Sequence, residues 1–139
     1  MTESTAWNAR RTCAMTGREF LLDSVIVIDH FNGVEAATAY LKENGPRSCV
    51  TAITRAEVLT GFEGRSLVLA KMLLDRFPLV VIDAQIADIA AKLRRQKGWK
   101  LPDAMQAAAA KHNDLLLVTR DVDDFPPSRH RFVRVPYTL

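Results

Sequence analysis

The chain has 139 residues, of which 48% are hydrophobic and 25% are charged, and its formal net charge is +3. This length suits a single domain, and the composition is that of a globular protein rather than of a disordered one. No apolar run approaches the roughly 20 residues of a membrane span, so we expect no membrane insertion. The weak positive charge permits an anionic partner such as nucleic acid but does not identify one.

The amino-terminal segment has no features of a folded element. Residues 1–17 are polar and aperiodic, so we predict a flexible tail ahead of a folded domain at 18–139. The segment does not resemble a signal peptide, because Arg10 and Arg11 are not followed by an apolar core. Cys13 and Cys49 are widely spaced and lack a metal-ligand cluster, which favours two unpaired thiols. A cytoplasmic location is therefore expected.

Strands alternate with helices along the rest of the chain, which predicts a single α/β sheet with crossover helices on both faces. The chain is predicted to begin with a strand at 19–22 and a helix from Ser24 to Phe31, unless the β-branched run 25–28 extends the strand. A helix at 34–43, a strand at 48–50, a helix from Thr54, a helix at 67–77, a strand at 79–82 and a helix from Asp83 to Gly98 follow. An alanine-rich helix then runs from Pro102 until Asn113 and Asp114 break it, and a strand at 115–118 and an edge strand at 131–135 complete the chain.

Several acids stand at the ends of these elements, and each has a structural explanation of its own. Asp23 suits a helix cap, and Glu57 completes the capping-box pattern Thr54-Arg-Ala-Glu57. Asp103 is a first-turn acid of its helix, and Asp121 and Asp124 suit a turn. Taken one at a time, these acids therefore do not require a function.

Their positions in the fold indicate a shared site. Each acid follows a predicted strand or opens a predicted helix, so in a parallel sheet they converge on the edge formed by the carboxyl ends of the strands. Carboxylates gathered there would repel one another unless a cation compensates their charge. Ligation by oxygen alone selects Mg²⁺ or Mn²⁺. The implied chemistry is attack of water on a phosphodiester, assisted by one or two metal ions.

The same segments resemble the PIN-domain ribonucleases, and most closely the VapC-type toxins of type II toxin-antitoxin pairs. The resemblance covers residues 19–136. It is carried by Leu22-Asp23-Ser24 with Ile28-Asp29, by Thr54-Arg-Ala-Glu57-Val, by Leu101-Pro-Asp103-Ala, and by Val118-Thr-Arg-Asp121 with Asp124-Phe125.

This resemblance implies a three-layer α/β/α fold with a mostly parallel sheet, Mg²⁺-dependent endoribonuclease activity on RNA, a homodimer, and inhibition by a small cognate antitoxin protein. Many relatives carry Asn where Asp121 stands, which leaves open whether Asp121 or Asp124 is the main fourth acid. Carried over residue by residue, the catalytic and metal-binding acids fall on Asp23, Glu57, Asp103 and Asp121, with Asp124 as a candidate fifth and with Ser24 or Thr119 supporting a bound water.

Two basic clusters flank the alanine-rich helix and the strand after it. They would follow an RNA backbone, although a solvated helix end and a solvated tail explain them equally well. The first cluster is Arg94, Arg95, Lys97 and Lys100, and the second is Arg129, His130, Arg131 and Arg134.

Two other functions fit parts of the pattern. A receiver-type signalling domain also holds Mg²⁺ at strand ends, but it gathers adjacent acids after its first strand. Asp23 has no acidic neighbour, and Glu57 would have no role in such a domain. A catalytically silent relative would bind RNA or a partner protein without cleaving RNA. Metal-dependent hydrolysis by the purified protein separates these functions.

Overall fold

The computed structural model describes residues 17–139, so the tail predicted at 1–17 lies outside the described residues except for Gly17. The elements, in chain order, are β1 (Phe20–Leu22), α1 (Ser24–Phe31), α2 (Glu35–Asn44), a short 3-10 turn (Gly45–Arg47), β2 (Ser48–Thr51), α3 (Ala52–Thr60), α4 (Gly64–Leu74), β3 (Leu79–Val80), α5 (Ala84–Lys97), α6 (Leu101–His112), β4 (Leu116–Val118) and β5 (Val133–Arg134).

The five strands form one parallel sheet in the order β3-β2-β1-β4-β5. Successive strands run outward from β1 to β3, and the chain then returns to place β4 on the other side of β1, where Leu22 pairs with Val118. The reversal of strand order therefore falls between β1 and β4, which is where open α/β sheets form their ligand crevice. The predicted edge strand is confirmed in β5.

Alternate residues of β1 enter different cores, as the two-residue period of a strand requires. Leu21 packs with residues of α5 and α6, whereas Phe20 and Leu22 pack with residues of α1 and α2. Leu21 and Leu22 are both fully buried. The sheet is thus covered by helices on both faces, and the predicted α/β fold is confirmed.

The helix boundaries follow local capping chemistry. The Asp83 side chain accepts a hydrogen bond from the backbone N–H of Ile86 and caps α5, and Gly98 ends that helix with a left-handed φ of 71°. Both signals were predicted. The run 25–28 lies within α1, so the alternative in which it extends the first strand is wrong. Among residues 17–139, no helix combines the length and the apolar character that a membrane crossing needs.

The capping box predicted at Thr54 is wrong. Helix α3 begins earlier, and Thr51, the last residue of β2, caps it by accepting a hydrogen bond from the backbone N–H of Thr54 at 3.2 Å. The Thr54 hydroxyl instead donates to the carbonyl of Leu22 at 3.0 Å. The sequence offers two threonines three residues apart, and only the end of the strand decides which one caps. Glu57 consequently has no capping role.

The prediction of an unpaired thiol at Cys49 is also wrong. Cys49 is fully buried in β2 and is disulfide-bonded. The number and spacing of cysteines along the chain do not report the bonding state of any one of them. Cys13 lies outside the described residues.

Candidate metal centre

The predicted acids are placed around the crevice between β1 and β4. Asp23 directly follows β1 and is the N-cap of α1. Asp121 and Asp124 lie in the turn after β4, and Asp103 lies in the first turn of α6. Glu57 projects from α3 and is exposed.

Three of these acids form a compact group. One carboxylate oxygen from each of Asp103, Asp121 and Asp124 lies within 4.8 Å of the other two. The backbone N–H of Asp124 donates to Asp121 Oδ1 at 3.2 Å, so the turn itself positions the Asp121 side chain. Asp103 approaches them from the separate helix α6.

Asp23 is held beside this group by neutral donors. Its Oδ2 accepts a hydrogen bond from the Thr119 hydroxyl at 2.7 Å, and its Oδ1 accepts one from the backbone N–H of Ser24 at 2.9 Å. The Thr119 hydroxyl also accepts the backbone N–H of Asp121 at 3.0 Å. Thr119, which we expected to support a bound water, thus joins Asp23 to the turn that carries Asp121.

The other four acids all act electrostatically on Asp103. The pKa of Asp103 is raised to about 6 by burial and by the charges of Asp124, Asp23, Asp121 and Glu57. Burial also raises the pKa of Asp23 and that of Glu57, although a hydrogen bond with the Ser24 side chain opposes the shift at Glu57. Partial desolvation and neighbouring Asp121 raise the pKa of Asp124, and the charge of Lys100 opposes this rise.

Gln106 links three elements of the site and was missed by sequence reasoning. It lies one turn after Asp103 and is buried. Its Oε1 accepts a hydrogen bond from the Thr51 hydroxyl at 2.6 Å, and its Nε2 donates to the Thr54 hydroxyl at 2.6 Å and, at 3.5 Å, to Asp23 Oδ1. The signal available in the sequence was a single amide among the buried alanines of a helix.

Arg120 lies between Thr119 and Asp121 but points away from the acids. Its Nε and Nη2 donate to the two carboxylate oxygens of Asp29 at 2.6 and 2.9 Å, and the Tyr137 hydroxyl donates to the same carboxylate at 2.8 Å. Asp29 is 5% exposed and lies on α1, the helix that Asp23 caps. Helix α1 is therefore tied to the β4 turn at two points. We did not predict this ion pair, although Asp29 was visible as a lone acid in an apolar helix.

The donor set fits a hard divalent cation. The grouped ligand atoms are all carboxylate oxygens, which Mg²⁺ and Mn²⁺ prefer. None of the three ion pairs found among residues 17–139 uses an acid of this group. The raised pKa values arise partly from like-charge repulsion, which a bound cation would relieve. Asp103, Asp121 and Asp124 would hold such an ion, with Asp23 beside them.

Comparison with known proteins places this geometry among related chains. A family model described as PIN domain matches residues 20–126. No curated protein sequence matches the chain.

Solved structures share the fold over most of its length. A chain of a toxin-antitoxin complex from Klebsiella pneumoniae is 32% identical, with a TM-score of 0.80 over 87% of this chain and 100% of the other. FitAcB from Neisseria gonorrhoeae is 24% identical, with a TM-score of 0.71 over 86% and 99% of the two chains. DNA-bound VapBC from Salmonella typhimurium is 24% identical, with a TM-score of 0.67 over 77% and 89%. The last two similarities concern the fold alone.

Proposed function

The chain belongs to the PIN domain family, and from this premise we propose that it is a VapC-type toxin that acts as a metal-dependent endoribonuclease. The observation that carries the proposal is the approach of one oxygen each from Asp103, Asp121 and Asp124 to within 4.8 Å, beside a hydrogen-bonded Asp23. Such a group of acids is suited to the metal-assisted hydrolysis of phosphodiesters. Mg²⁺ is the proposed ion, and Mn²⁺ would use the same ligands.

The residues of the site have different roles in the proposed reaction. When bound, the ion would supply Lewis-acid stabilisation of negative charge on the phosphate oxygens. Thr119 and Gln106 hold the Asp23 carboxylate in one orientation, so that it meets the ion and the substrate without reorganisation. Glu57 is exposed at the rim, where its carboxylate would accept a proton from an attacking water, and burial raises its pKa above the ordinary value of a glutamate.

Asp121 and Asp124 are both assigned to the ion. The turn after β4 brings their carboxylates together, and one oxygen of each lies within 4.8 Å of an oxygen of Asp103. The sequence left open which of them is the main fourth acid, and we propose that both serve.

The proposed partners follow from the relatives. The structure from Klebsiella pneumoniae is a toxin-antitoxin complex, and we propose that this chain also has an antitoxin, a small cognate protein that holds it inactive. The proposed substrate is RNA, the proposed assembly is a homodimer, and the proposed location is the cytoplasm. Light scattering of the purified protein measures the assembly state.

Asp23→Asn and Asp103→Asn should each abolish cleavage of RNA in Mg²⁺ while leaving a cooperatively melting protein. The charge-to-amide change is nearly isosteric, so lost activity reflects the lost carboxylate rather than lost packing. The measurement is gel-resolved cleavage of a labelled RNA with Mg²⁺ or with EDTA. Asp88→Asn is the matched control, because Asp88 is an exposed acid on α5.

Three outcomes would contradict the proposal. Cleavage at the parent rate by either site variant removes the assignment of these acids. RNA binding by the parent without products in Mg²⁺ would indicate the catalytically silent alternative. A phosphorylated aspartate formed with a small phosphodonor would indicate a receiver-type domain.

A further inference from the structure

Two basic segments that are far apart in the sequence meet beside the acidic site. The Trp99 ring packs edge-on against His130, with 5.3 Å between ring centroids, and against Phe125 at 4.9 Å. Trp99 is buried and directly follows Gly98, which ends α5. The basic end of α5 is thereby placed against the segment around His130. Arg134, although close in sequence, belongs elsewhere, because its guanidinium lies over the Phe20 ring at 5.8 Å.

Several exposed cations cluster around this aromatic contact, and we call them the basic surface. Arg94 donates from Nε to the Trp99 carbonyl at 3.2 Å, and Arg95 lines a shallow cavity of about 350 Å³ against the same tryptophan. The other members are Lys97, Lys100, Lys111 and Arg129. All six residues are exposed.

Three cations of the basic surface act electrostatically on His130. The pKa of His130 is lowered first by burial and then by the positive charges of Lys97, Lys111 and Arg129. Among residues 17–139, the ion pairs use Arg47, Arg55 and Arg120, so no member of the basic surface is neutralised by a carboxylate in an ion pair. This concentration of positive charge is a site for an extended anion.

The basic surface is continuous with the acids of the site. Trp99 Nε1 donates to the backbone carbonyl of Asp124 at 3.1 Å, which joins the tryptophan to the acidic turn. Lys100 lies close enough to Asp124 for its charge to oppose the rise in the pKa of that acid, and it is the N-cap residue of α6, three residues before Asp103. A nucleic-acid chain that reacts at the acids of the site can therefore extend directly onto the basic surface.

We infer that the basic surface binds the phosphate backbone of single-stranded RNA on one side of the cleavage site, an inference that rests on the proposed nuclease function. A polyanion with regularly spaced charges can contact Lys100 at the rim of the site and then Lys97 and Arg129 around Trp99. These contacts are to phosphates, so they bind RNA without regard to sequence and are weakened by salt. Base selection then depends on the crevice between β1 and β4.

The test is RNA binding by Asp103→Asn protein in EDTA, which removes cleavage from the measurement. Fluorescence anisotropy of a short single-stranded RNA gives Kd over a series of salt concentrations. Adding Lys97→Gln and Arg129→Gln should raise Kd and should reduce the slope of log Kd against log salt by about 1.4, because each phosphate contact to a single strand contributes about 0.7. The matched control adds Lys42→Gln and Arg76→Gln.

The control pair carries the same charge change at a different place. Lys42 and Arg76 are exposed and line a groove with Gly45 and Pro46, which precede β2 at the end of the sheet opposite the acids. This pair should leave the slope unchanged if the effect is local. Thermal melts of both double variants verify that each is folded.

The outcomes separate the surface from the nuclease function. If the parent cleaves RNA but both double variants lose the same slope, general charge attraction explains binding and the basic surface is overturned. A parent that neither cleaves nor binds RNA overturns both proposals. If the Lys97 and Arg129 variant retains the RNA slope but loses binding to an acidic polyglutamate peptide, the surface belongs to an acidic protein partner and our inference is overturned.

Discussion

Asp23, which caps helix α1, and Asp29, which lies within it, have pKa values shifted in opposite directions. Asp29 is 5% exposed, yet the pKa of its carboxyl is lowered, chiefly by its hydrogen bonds with the Arg120 guanidinium. Asp23, six residues earlier, receives hydrogen bonds from Thr119, Ser24 and Gln106, and burial nevertheless raises its pKa. Neutral donors orient a carboxylate, but in this site they do not offset the cost of removing its charge from water.

The difference shows which carboxylates the protein pairs with a cation of its own chain. The Asp29 carboxylate meets a cation supplied by the chain, and it serves the packing between α1 and the β4 turn. The Asp23 carboxylate and its neighbours Asp103, Asp121 and Asp124 take part in no ion pair among residues 17–139, and in our proposal they receive a cation from outside. One region is therefore expected to govern stability, and the other to govern response to metal ions.

The largest effect on stability is expected when the internal cation is removed. Arg120→Met leaves Asp29 buried without its partner and should lower the free energy of unfolding by about 3 kcal/mol at pH 7. Denaturation by urea, followed by circular dichroism, measures the loss. Adding Asp29→Asn should recover part of it, since the buried charge is then absent. A loss below about 1 kcal/mol, the size expected for a surface pair, would show that Asp29 is not a buried charge that depends on Arg120.

A somewhat smaller effect is expected when the external cation is added. An ion that binds only the folded state stabilises it by RT ln(1 + [L]/Kd), about 2.7 kcal/mol at a hundredfold excess over Kd. Thermal melts at pH 7 should show this gain for the parent in Mg²⁺. Asp103→Asn should melt higher than the parent in EDTA, because repulsion is relieved, and should gain less from Mg²⁺.

The proposed difference between the two regions is contradicted if Mg²⁺ does not stabilise the protein. A parent that shows no shift in millimolar Mg²⁺, together with an Asp103→Asn variant that melts lower in EDTA, would mean that these acids serve helix capping alone.

The smallest effect is a difference in pH dependence between the two regions. The folded-state pKa of Asp103 is about 6, above the ordinary value of 3.8, so in EDTA its destabilisation is complete above pH 6 and is relieved as the pH falls toward 3.8. The lowered pKa of Asp29 has the opposite sign: its contribution is present above 3.8 and is lost as the pH falls through the folded-state value.

Melts in EDTA between pH 7 and pH 4 therefore distinguish the two aspartates. The advantage of Asp103→Asn over the parent should shrink as the pH is lowered across this range, because the parent becomes protonated at that position. The deficit of Asp29→Asn relative to the parent should persist down to about pH 4, because the variant does not titrate at this position and the parent carboxylate stays ionised until the pH falls below the ordinary pKa of an aspartate. Parallel pH curves for the parent and Asp103→Asn would argue against the raised pKa.

Much of the fold could be predicted from the sequence because its signals are local. Asp83 and Gly98 act through their own backbone neighbours, Pro102 suits a first helical turn, and the apolar run at β4 indicates burial by itself. The convergence of the acids also followed from chain order alone, since the carboxyl ends of parallel strands share one edge.

The sequence could not provide contacts between residues distant in the chain. Gln106 joins Thr51 across 55 positions, and Arg120 joins Asp29 across 91. Each is an ordinary polar residue until the fold supplies a partner. The prediction of the cap of α3 was wrong for a related reason, because the choice between Thr51 and Thr54 depends on where β2 ends.

The alanines of α6 have a dimensional consequence. Ala104 and Ala107 to Ala110 are all fully buried between this helix and its neighbours, so a layer of methyl groups sets how closely the helix packs. Larger side chains there would force the helix outward at a cost of about 1–3 kcal/mol. Asp103 would move with it, away from Asp121 and Asp124. The methyl groups of these alanines thus set how closely α6 packs against its neighbours. In this way they also set the distance of Asp103 from Asp121 and Asp124.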